Sequence, residues 1–150
     1  METKLLDGKL FTAMVGEGAA RLNQNRSIVN DLNVFPIPDG DTGDNMYMTI
    51  HEGAAAAAKE PALPLDEVAS RTARGMLLGA RGNSGVILSR IFAGIAKGLL
   101  GLEAVDVRAF GAALSAGVEE SYRAVSNPVE GTILTVYRDA VSVANKKIRD

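Results

Sequence analysis

Apolar residues recur every three or four positions along most of the chain, which is the spacing of one face of an α-helix. Runs that alternate strictly between apolar and polar residues, as half-buried strands do, are absent from the sequence. Short stretches rich in glycine, proline, asparagine and aspartate separate the periodic segments and favour turns. The pattern therefore predicts six amphipathic helices and an all-α fold, an antiparallel bundle or barrel.

Each predicted helix has a stripe of residues expected to face the core, and Asp66 and Asp106 are expected to cap the third and fifth helices. The stripes, in chain order, are Leu6, Leu10, Met14, Gly18 and Leu22, continued by Ile28, Val29 and Leu32; Met46, Ile50, Gly53, Ala54 and Ala57; Val68, Thr72 and Met76; Ile87, Ile91, Ile95 and Leu99; Val107, Phe110, Leu114, Val118 and Tyr122; and Ile133, Val136 or Tyr137, Ala140 and Ala144.

Composition excludes several classes of protein. The chain has 150 residues, 47% hydrophobic and 23% charged, which is typical of one globular domain spanning residues 1–150. A net charge of −2 without a basic run disfavours nucleic-acid binding, and the lack of cysteine excludes disulfides and thiolate zinc sites. The N-terminus lacks a signal-peptide pattern, and Arg90 and Lys97 interrupt the most apolar window. We therefore expect a cytoplasmic protein without membrane insertion.

The most distinctive chemistry lies in residues 33–45, of which residues 33–41 are called the acidic loop below. Asp39 and Asp41 are separated by Gly40, and glycine can adopt the positive φ that lets two such carboxylates converge. The loop leads into the second predicted helix, whose free N–H groups favour anions. Mg²⁺ binds one or two carboxylates together with waters and phosphate oxygens. The alternative is an ordinary turn in which Asp41 or Thr42 caps the helix.

Two further glycine-containing loops precede predicted helices. The second loop (residues 79–85) carries Asn83 and Ser84 between glycines, and the third loop (residues 126–132) ends in Gly131 and Thr132. Helix capping would explain either loop taken alone. In an up-and-down bundle, however, alternate connections lie at the same end, so the three loops are expected to gather on one rim. A rim with two carboxylates and several helix N-termini is a candidate metal–phosphate site.

The three loops, in order, resemble the signatures of the nucleotide-binding domain of dihydroxyacetone-kinase L-subunit (DhaL) type. They are most similar to the branch at the N-terminus of bacterial fatty acid kinases. The segments that carry this resemblance are Asn33–Gly43 with Asn45 and Met46, Gly79–Ser89, and Pro128–Leu134. The resemblance implies an eight-helix antiparallel barrel that holds ATP or ADP with two Mg²⁺ ions at one end.

The resemblance also implies roles for individual residues. Asp39 and Asp41 would be the catalytic residues and would ligate both metal ions, with Asn33, which stands where the dihydroxyacetone branch has another aspartate, as a third candidate ligand. Asp44 stands where the family often has threonine and is expected to favour the helix dipole. Arg81 is expected to form a surface ion pair, with a phosphate contact as the alternative. The residues implied to bind the nucleotide are Thr42, Gly43, Asn45, Asn83, Ser84, Gly85, Gly131 and Thr132.

The implied reaction transfers the γ-phosphoryl group of ATP to a fatty acid carboxylate, presented by a DegV-like carrier protein, and gives an acyl phosphate. The alternatives are a dihydroxyacetone-kinase L subunit, which keeps ADP bound, and a non-catalytic nucleotide-binding module. Six predicted helices are two fewer than the family's eight, so we expect a C-terminally truncated domain that is inactive alone. The carrier would bind parts of the parent protein outside this chain, and a homodimer is left open.

Overall fold

Helices make up most of the computed structural model, which describes residues 4–34 and 37–150. Met1–Thr3, and Phe35 and Pro36 of the acidic loop, lie outside the described residues. None of the described helices has the length and apolar character needed to cross a membrane. The helices found there are α1 (Gly8–Gln24), α2 (Arg26–Asp31), α3 (Thr42–Ala58), α4 (Leu65–Gly79), α5 (Gly82–Gly98), α6 (Val107–Arg123) and α7 (Ile133–Arg149). The predicted all-α fold is confirmed.

The start of the chain departs from the prediction in two ways. The first predicted helix is divided into α1 and α2 at Asn25, whose backbone (φ −108°, ψ 9°) leaves the helical conformation. Leu6 lies in a two-residue strand, β1 (Leu6–Asp7), which pairs antiparallel with β2 (Ala104–Val105). Seven helices therefore stand in the described residues where six were expected, and a short strand pair ties the start of α1 to the start of α6.

The core faces of α3, α4 and α5 were predicted correctly. Ile50 on α3, Met76 on α4 and Ile91 and Ile95 on α5 are all buried in one hydrophobic cluster. The first helix was assigned the wrong face, because α1 buries Phe11, Val15 and Ala19 and leaves Met14 exposed. Leu10 and Leu22 of the predicted stripe are only partly buried.

The predicted faces of α6 and α7 also need correction. Small residues form the buried face of α6, namely Gly111, Ala113, Gly117 and Ser121, while Val107 is 60% exposed. On α7 the buried residues are Leu134 and Val141; of the predicted alternatives, Tyr137 packs against the core, whereas Val136 is 70% exposed. The cause is close packing between α5 and α6: a Cβ added at Gly94 would lie 2.6 Å from the Cα of Gly117. Helices this close have room only for small residues between them.

The end of the bundle that carries the β1–β2 pair is well supplied with hydrogen bonds. Asp7 and Asp106 cap α1 and α6 by accepting from the N–H groups of Leu10 and Ala109, both at 2.8 Å. This confirms the predicted cap at Asp106. The predicted cap at Asp66 is wrong, because α4 begins at Leu65 after Pro64 and the Asp66 carboxylate accepts from the Gly101 N–H at 3.0 Å. The backbone N–H groups that start α4 donate to the carbonyls of residues 102 and 103.

Candidate functional site

The acidic loop and the second loop lie at the same end of the bundle, opposite the strand pair, and this end is called the loop rim below. The backbone N–H of Arg81 donates to Oγ1 of Thr49 at 3.1 Å, which joins the start of α5 to α3. Gly82 (φ +64°) lies against Asn45, and a Cβ added there would come within 2.5 Å of the Asn45 amide nitrogen. The second loop can therefore approach the first turns of α3 this closely only with glycine at that position.

The side chain of Asn33 fixes the shape of the acidic loop. Its Oδ1 accepts from the Asp41 N–H at 3.2 Å, and its Nδ2 donates to the Ile37 carbonyl at 3.1 Å. Between these points Gly40 adopts φ +69°, the positive value that the sequence predicted for a tight approach. The Asn33 side chain therefore links Ile37 to Asp41 through two hydrogen bonds. Its role as a metal ligand stays a prediction.

The carboxylates of Asp39 and Asp41 are the candidate metal ligands of the acidic loop. Asp39 is exposed and Asp41 is half-buried. Across residues 4–34 and 37–150, neither carboxylate takes part in a hydrogen bond or an ion pair, and no three His, Cys, Asp or Glu side chains gather as a metal-binding group. Two free carboxylates are nevertheless sufficient for Mg²⁺, which completes its coordination with waters and substrate phosphates. The donor set therefore fits a magnesium-bound phosphate.

The capping explanation of the three loops is not supported by the structure. Asp41 precedes α3, Arg81 precedes α5 and Thr132 precedes α7, and none of these side chains caps its helix. The Thr132 hydroxyl instead donates to the Val129 carbonyl at 2.8 Å. At the opposite end α1 and α6 do have side-chain caps. Apart from the Asp44 N–H, which donates to the Asn30 side chain, the first-turn N–H groups of α3 and α5 have no side-chain acceptor among the described residues and can bind an anion.

The third loop reaches the same end of the bundle through α6. Because α5 and α6 run antiparallel, with Gly98 against Ala113 and Gly94 against Gly117, the end of α6 lies beside the start of α5. The hydrogen bonds of the described third loop stay within the loop, α6 and α7, and they centre on Glu130. Its carboxylate accepts from the Thr135 hydroxyl at 2.6 Å and from Arg138 at 2.9 Å. The hydrogen bond from Thr135, and secondly the one from Arg138, lower the pKa of Glu130 below its ordinary value.

Comparison with known proteins identifies the family of this chain. The family model of the DAK2 domain matches residues 36–150. The chain belongs to the DAK2 domain family. DAK2 domains bind nucleotides and are associated with kinases, so a nucleotide-binding, phosphotransfer-type module is the coarse description that holds for this chain.

Similar proteins occur in several Gram-positive bacteria. An uncharacterized protein of Staphylococcus saprophyticus is 44% identical over 145 residues, which are 97% of this chain and 26% of that protein. Protein YloV of Bacillus subtilis is 47% identical over 144 residues, which are 96% of this chain and 26% of YloV. The DAK2 domain described here thus spans about a quarter of the length of the curated relatives it matches.

One feature of the DAK2 domain's loop rim was missed by sequence reasoning. Asp44, in the first turn of α3, pairs with Arg26 of α2 (Nε to Oδ1, 3.0 Å), and the Arg26 guanidinium lies 4.9 Å from the centre of the Tyr47 ring. The Asn30 side chain accepts from the Asp44 N–H at 3.1 Å. Hydrogen bonds from Arg26, and then Asn30, lower the pKa of Asp44. The pairing was hidden because α2 was not recognised as a separate helix.

The predicted nucleotide-binding residues of the DAK2 domain lie on α3, on α5 and in the third loop. Asn45 and Gly85 lie where α3 and α5 pack together, because a Cβ at Gly85 would meet the Thr49 hydroxyl. Asn83 is exposed, and Ser84 half-buried, in the first turn of α5, and Thr42 is half-buried at the start of α3. Gly43 packs against α2, and Gly131 (φ +81°) and Thr132 lie in the third loop. Their contacts with nucleotide stay predictions.

Proposed function

We propose that this chain is the nucleotide-binding domain of an ATP-dependent fatty acid kinase. The γ-phosphoryl group of ATP would pass to a fatty acid carboxylate presented by a DegV-like carrier protein, with acyl phosphate as the product. The observation that carries the proposal is the composition of the loop rim. There, the carboxylates of Asp39 and Asp41 lack protein partners among the described residues, and they lie beside helix N-termini without side-chain caps.

In this proposal Asp39 and Asp41 hold two Mg²⁺ ions, with Asn33 as a further candidate ligand. Bound Mg²⁺ would neutralise charge on the phosphates and on the group being transferred. The N–H groups at the starts of α3 and α5 face the same rim and suit phosphate oxygens. The side chains and backbone proposed to surround the nucleotide are those of Thr42, Gly43, Asn45, Asn83, Ser84, Gly85, Gly131 and Thr132.

The proposed reaction requires the protein mainly to position the reactants and to neutralise charge. A fatty acid carboxylate is already ionised at neutral pH, so one of its oxygens can attack the γ-phosphorus directly. The new bond joins that oxygen to phosphorus, the bond from phosphorus to the β,γ-bridging oxygen breaks, and ADP leaves. Catalysis then consists of alignment and charge neutralisation, which the loop rim is suited to provide.

Isothermal titration calorimetry with MgATP tests the binding part of the proposal. We expect the parent chain to bind MgATP and the Asp39→Ala/Asp41→Ala variant to lose at least about tenfold in affinity, because hard-cation sites depend on carboxylate ligands. The matched control is Glu67→Ala/Glu103→Ala, which removes two exposed carboxylates near the strand-pair end and should bind like the parent. Equal affinity of the parent and the Asp39/Asp41 variant would contradict the proposal.

Identifying the phosphoryl acceptor requires assays on the complete parent protein together with its carrier. Phosphorylation of a carrier-bound fatty acid, and not of dihydroxyacetone, supports the fatty acid kinase. The reverse preference would identify a dihydroxyacetone-kinase L subunit. Nucleotide binding without turnover of either acceptor would identify a non-catalytic module.

A further inference from the structure

A groove of about 510 Å³ lies on the outer side of the α3–α4 pair, and none of the proposed nucleotide-binding residues lines it. Its walls carry four cationic side chains, Lys59, Arg71, Arg74 and Arg81, and one acidic side chain, Glu52. The chain as a whole has a net charge of −2. Positive charge is therefore concentrated in this groove against the overall balance of the protein. Such concentration attracts anionic partners.

The cations are spread along the groove and do not converge on one point. Arg71, Arg74 and Leu78 follow one another at i, i+3 and i+7 on α4, which places them on one face of the helix. At a rise of 1.5 Å per residue, Arg71 and Leu78 are about 10 Å apart along the helix axis, and Arg81 lies further on. This spacing suits an elongated anion better than a single phosphate group.

Most of these cations are free to bind a partner. Arg71 pairs with Glu60 at 3.1 Å, but both side chains are about half exposed (45% and 54%), and such surface pairs are weak. Within residues 4–34 and 37–150, Lys59, Arg74 and Arg81 form no ion pair. The surface ion pair expected for Arg81 is therefore not present in the described part of the chain. Lys59 ends α3, where the helix dipole favours a cation, whereas Arg74 lies in the interior of α4.

The groove also offers an apolar contact. Small residues line it where α3 and α4 pack closely, and a Cβ added at Gly75 would lie 2.8 Å from the Cβ of Ala56. Leu78 stands in the groove with 76% of its surface exposed. An apolar side chain flanked by arginines is the complement of an amphipathic helix with acidic edges.

We propose that the α3–α4 groove docks an acidic amphipathic helix of a partner protein. Two antiparallel helices leave a channel in which a third helix can lie, with Leu78 as the apolar anchor and the cations pairing with acidic residues on either side. Nucleic acid fits less well, because no aromatic side chain lines the groove to stack on a base. Arg81 also borders the loop rim through its backbone bond to Thr49, so the partner would lie next to the proposed nucleotide site. The proposal rests on the groove alone and does not depend on the proposed function.

Fluorescence anisotropy with a synthetic probe tests the proposal on this chain. The probe is a labelled helical peptide of about 18 residues, with glutamates at every third or fourth position around a central leucine. Its Glu→Gln counterpart has the same shape without the charge. We expect at least about tenfold tighter binding of the acidic peptide at low salt, and weaker binding as salt rises from about 50 to 300 mM, because the attraction is between exposed charges. Equal binding of the two peptides would overturn the proposal.

Two double variants locate the binding surface. Arg74→Gln/Arg81→Gln removes two groove cations and should weaken binding of the acidic peptide about tenfold. Arg108→Gln/Arg149→Gln makes the same change in charge at exposed positions on α6 and α7 and should leave the affinity within about twofold. Unchanged binding in the first variant, or equal losses in both, would contradict a site in this groove. Circular dichroism should show the parent's helix content in both variants.

A double-mutant cycle tests the apolar anchor, and a second probe tests the class of partner. Leu78→Ala should weaken binding of the peptide with a central leucine but change little for a peptide with alanine there, since the two side chains are proposed to touch. Additive effects would contradict that contact.

A single-stranded oligonucleotide of equal charge that bound more tightly than the peptide, with the same dependence on Arg74 and Arg81, would overturn the proposal in favour of nucleic acid.

Discussion

The acidic loop keeps its shape largely through one asparagine side chain. Asn33 accepts from the Asp41 N–H and donates to the Ile37 carbonyl, so it sets the position from which the Asp41 side chain extends. We expect Asn33→Ala to weaken MgATP binding by up to about thirtyfold, because an intramolecular hydrogen bond contributes about 1 kcal/mol and two such bonds are lost. The measurement is calorimetry beside the parent.

The Asn33→Asp variant separates the two roles of this residue. Aspartate keeps an acceptor for the Asp41 N–H but cannot donate to the Ile37 carbonyl, so a residue that only holds the loop should give an affinity between those of the parent and the alanine variant. A metal ligand should instead bind MgATP at least as tightly with aspartate, since the negative charge favours Mg²⁺. Affinity equal to or above the parent's would therefore contradict the loop-holding role.

The ion pair between Asp44 and Arg26 is measurable by its titration. Arg26, and secondly Asn30, hold the pKa of Asp44 below its ordinary value. The pair's contribution to stability is accordingly complete above about pH 4, the ordinary pKa of aspartate, and is lost as the pH falls through the lower pKa of the folded state. Carbon-detected NMR titration should show the pKa of Asp44 rising toward the ordinary value in Arg26→Gln.

The control for this titration is Arg21→Gln, which removes an exposed arginine that pairs with Glu17 on α1. It should leave the pKa of Asp44 where the parent has it. A pKa of Asp44 that did not move in Arg26→Gln would mean that the arginine does not cause the shift.

At the scale of the elements, the contact between α5 and α6 depends on glycine. A Cβ at Gly94 would lie 2.5 Å from the Ala116 carbonyl oxygen and 2.6 Å from the Cα of Gly117, both backbone atoms that cannot turn aside. We expect Gly94→Ala to lower the free energy of unfolding by about 1–3 kcal/mol, the usual cost of overpacking. Urea denaturation followed by circular dichroism measures this.

Gly16, inside α1, is the matched control for Gly94. Among the described residues, nothing lies within 4 Å of a Cβ added there. Gly16→Ala should therefore raise the free energy of unfolding by up to about 1 kcal/mol, because alanine favours the helix more than glycine does. Equal changes at the two glycines would show that α5 and α6 do not pack as closely as the structure indicates.

The predictability of each helix face follows from what packs against it. The stripes of α3, α4 and α5 were readable because large apolar residues such as Ile50, Met76 and Ile91 fill the core there. The buried face of α6 could not be predicted in this way, because α5 packs so close to it that glycine, alanine and serine are buried while Val107 is exposed. For α1, the stripe was counted from Leu6, which belongs to the strand pair, and it ran on past the break at Asn25.

At the scale of the whole molecule, the two ends of the bundle differ in how their polar groups are satisfied. The meeting of the first two loops was predictable, because alternate connections of an antiparallel bundle share an end. The contacts of Glu130 with Thr135 and Arg138 carried no signal in the sequence, since they depend on how α6 and α7 pack. At the strand-pair end Asp7 and Asp106 cap α1 and α6, whereas Asp41, which precedes α3 at the loop rim, forms no side-chain cap.

This difference between the ends predicts opposite results for chemically identical substitutions. Asp7→Ala and Asp106→Ala each remove a capping hydrogen bond of 2.8 Å, so each should lower the free energy of unfolding by about 1 kcal/mol and leave MgATP affinity unchanged. Asp41→Ala removes no side-chain cap, so it should change stability less than either and abolish most MgATP binding. Urea denaturation and calorimetry on the three variants decide the matter. Destabilisation by Asp41→Ala as large as that by Asp7→Ala, with nucleotide affinity intact, would mean that Asp41 serves its helix and binds no metal.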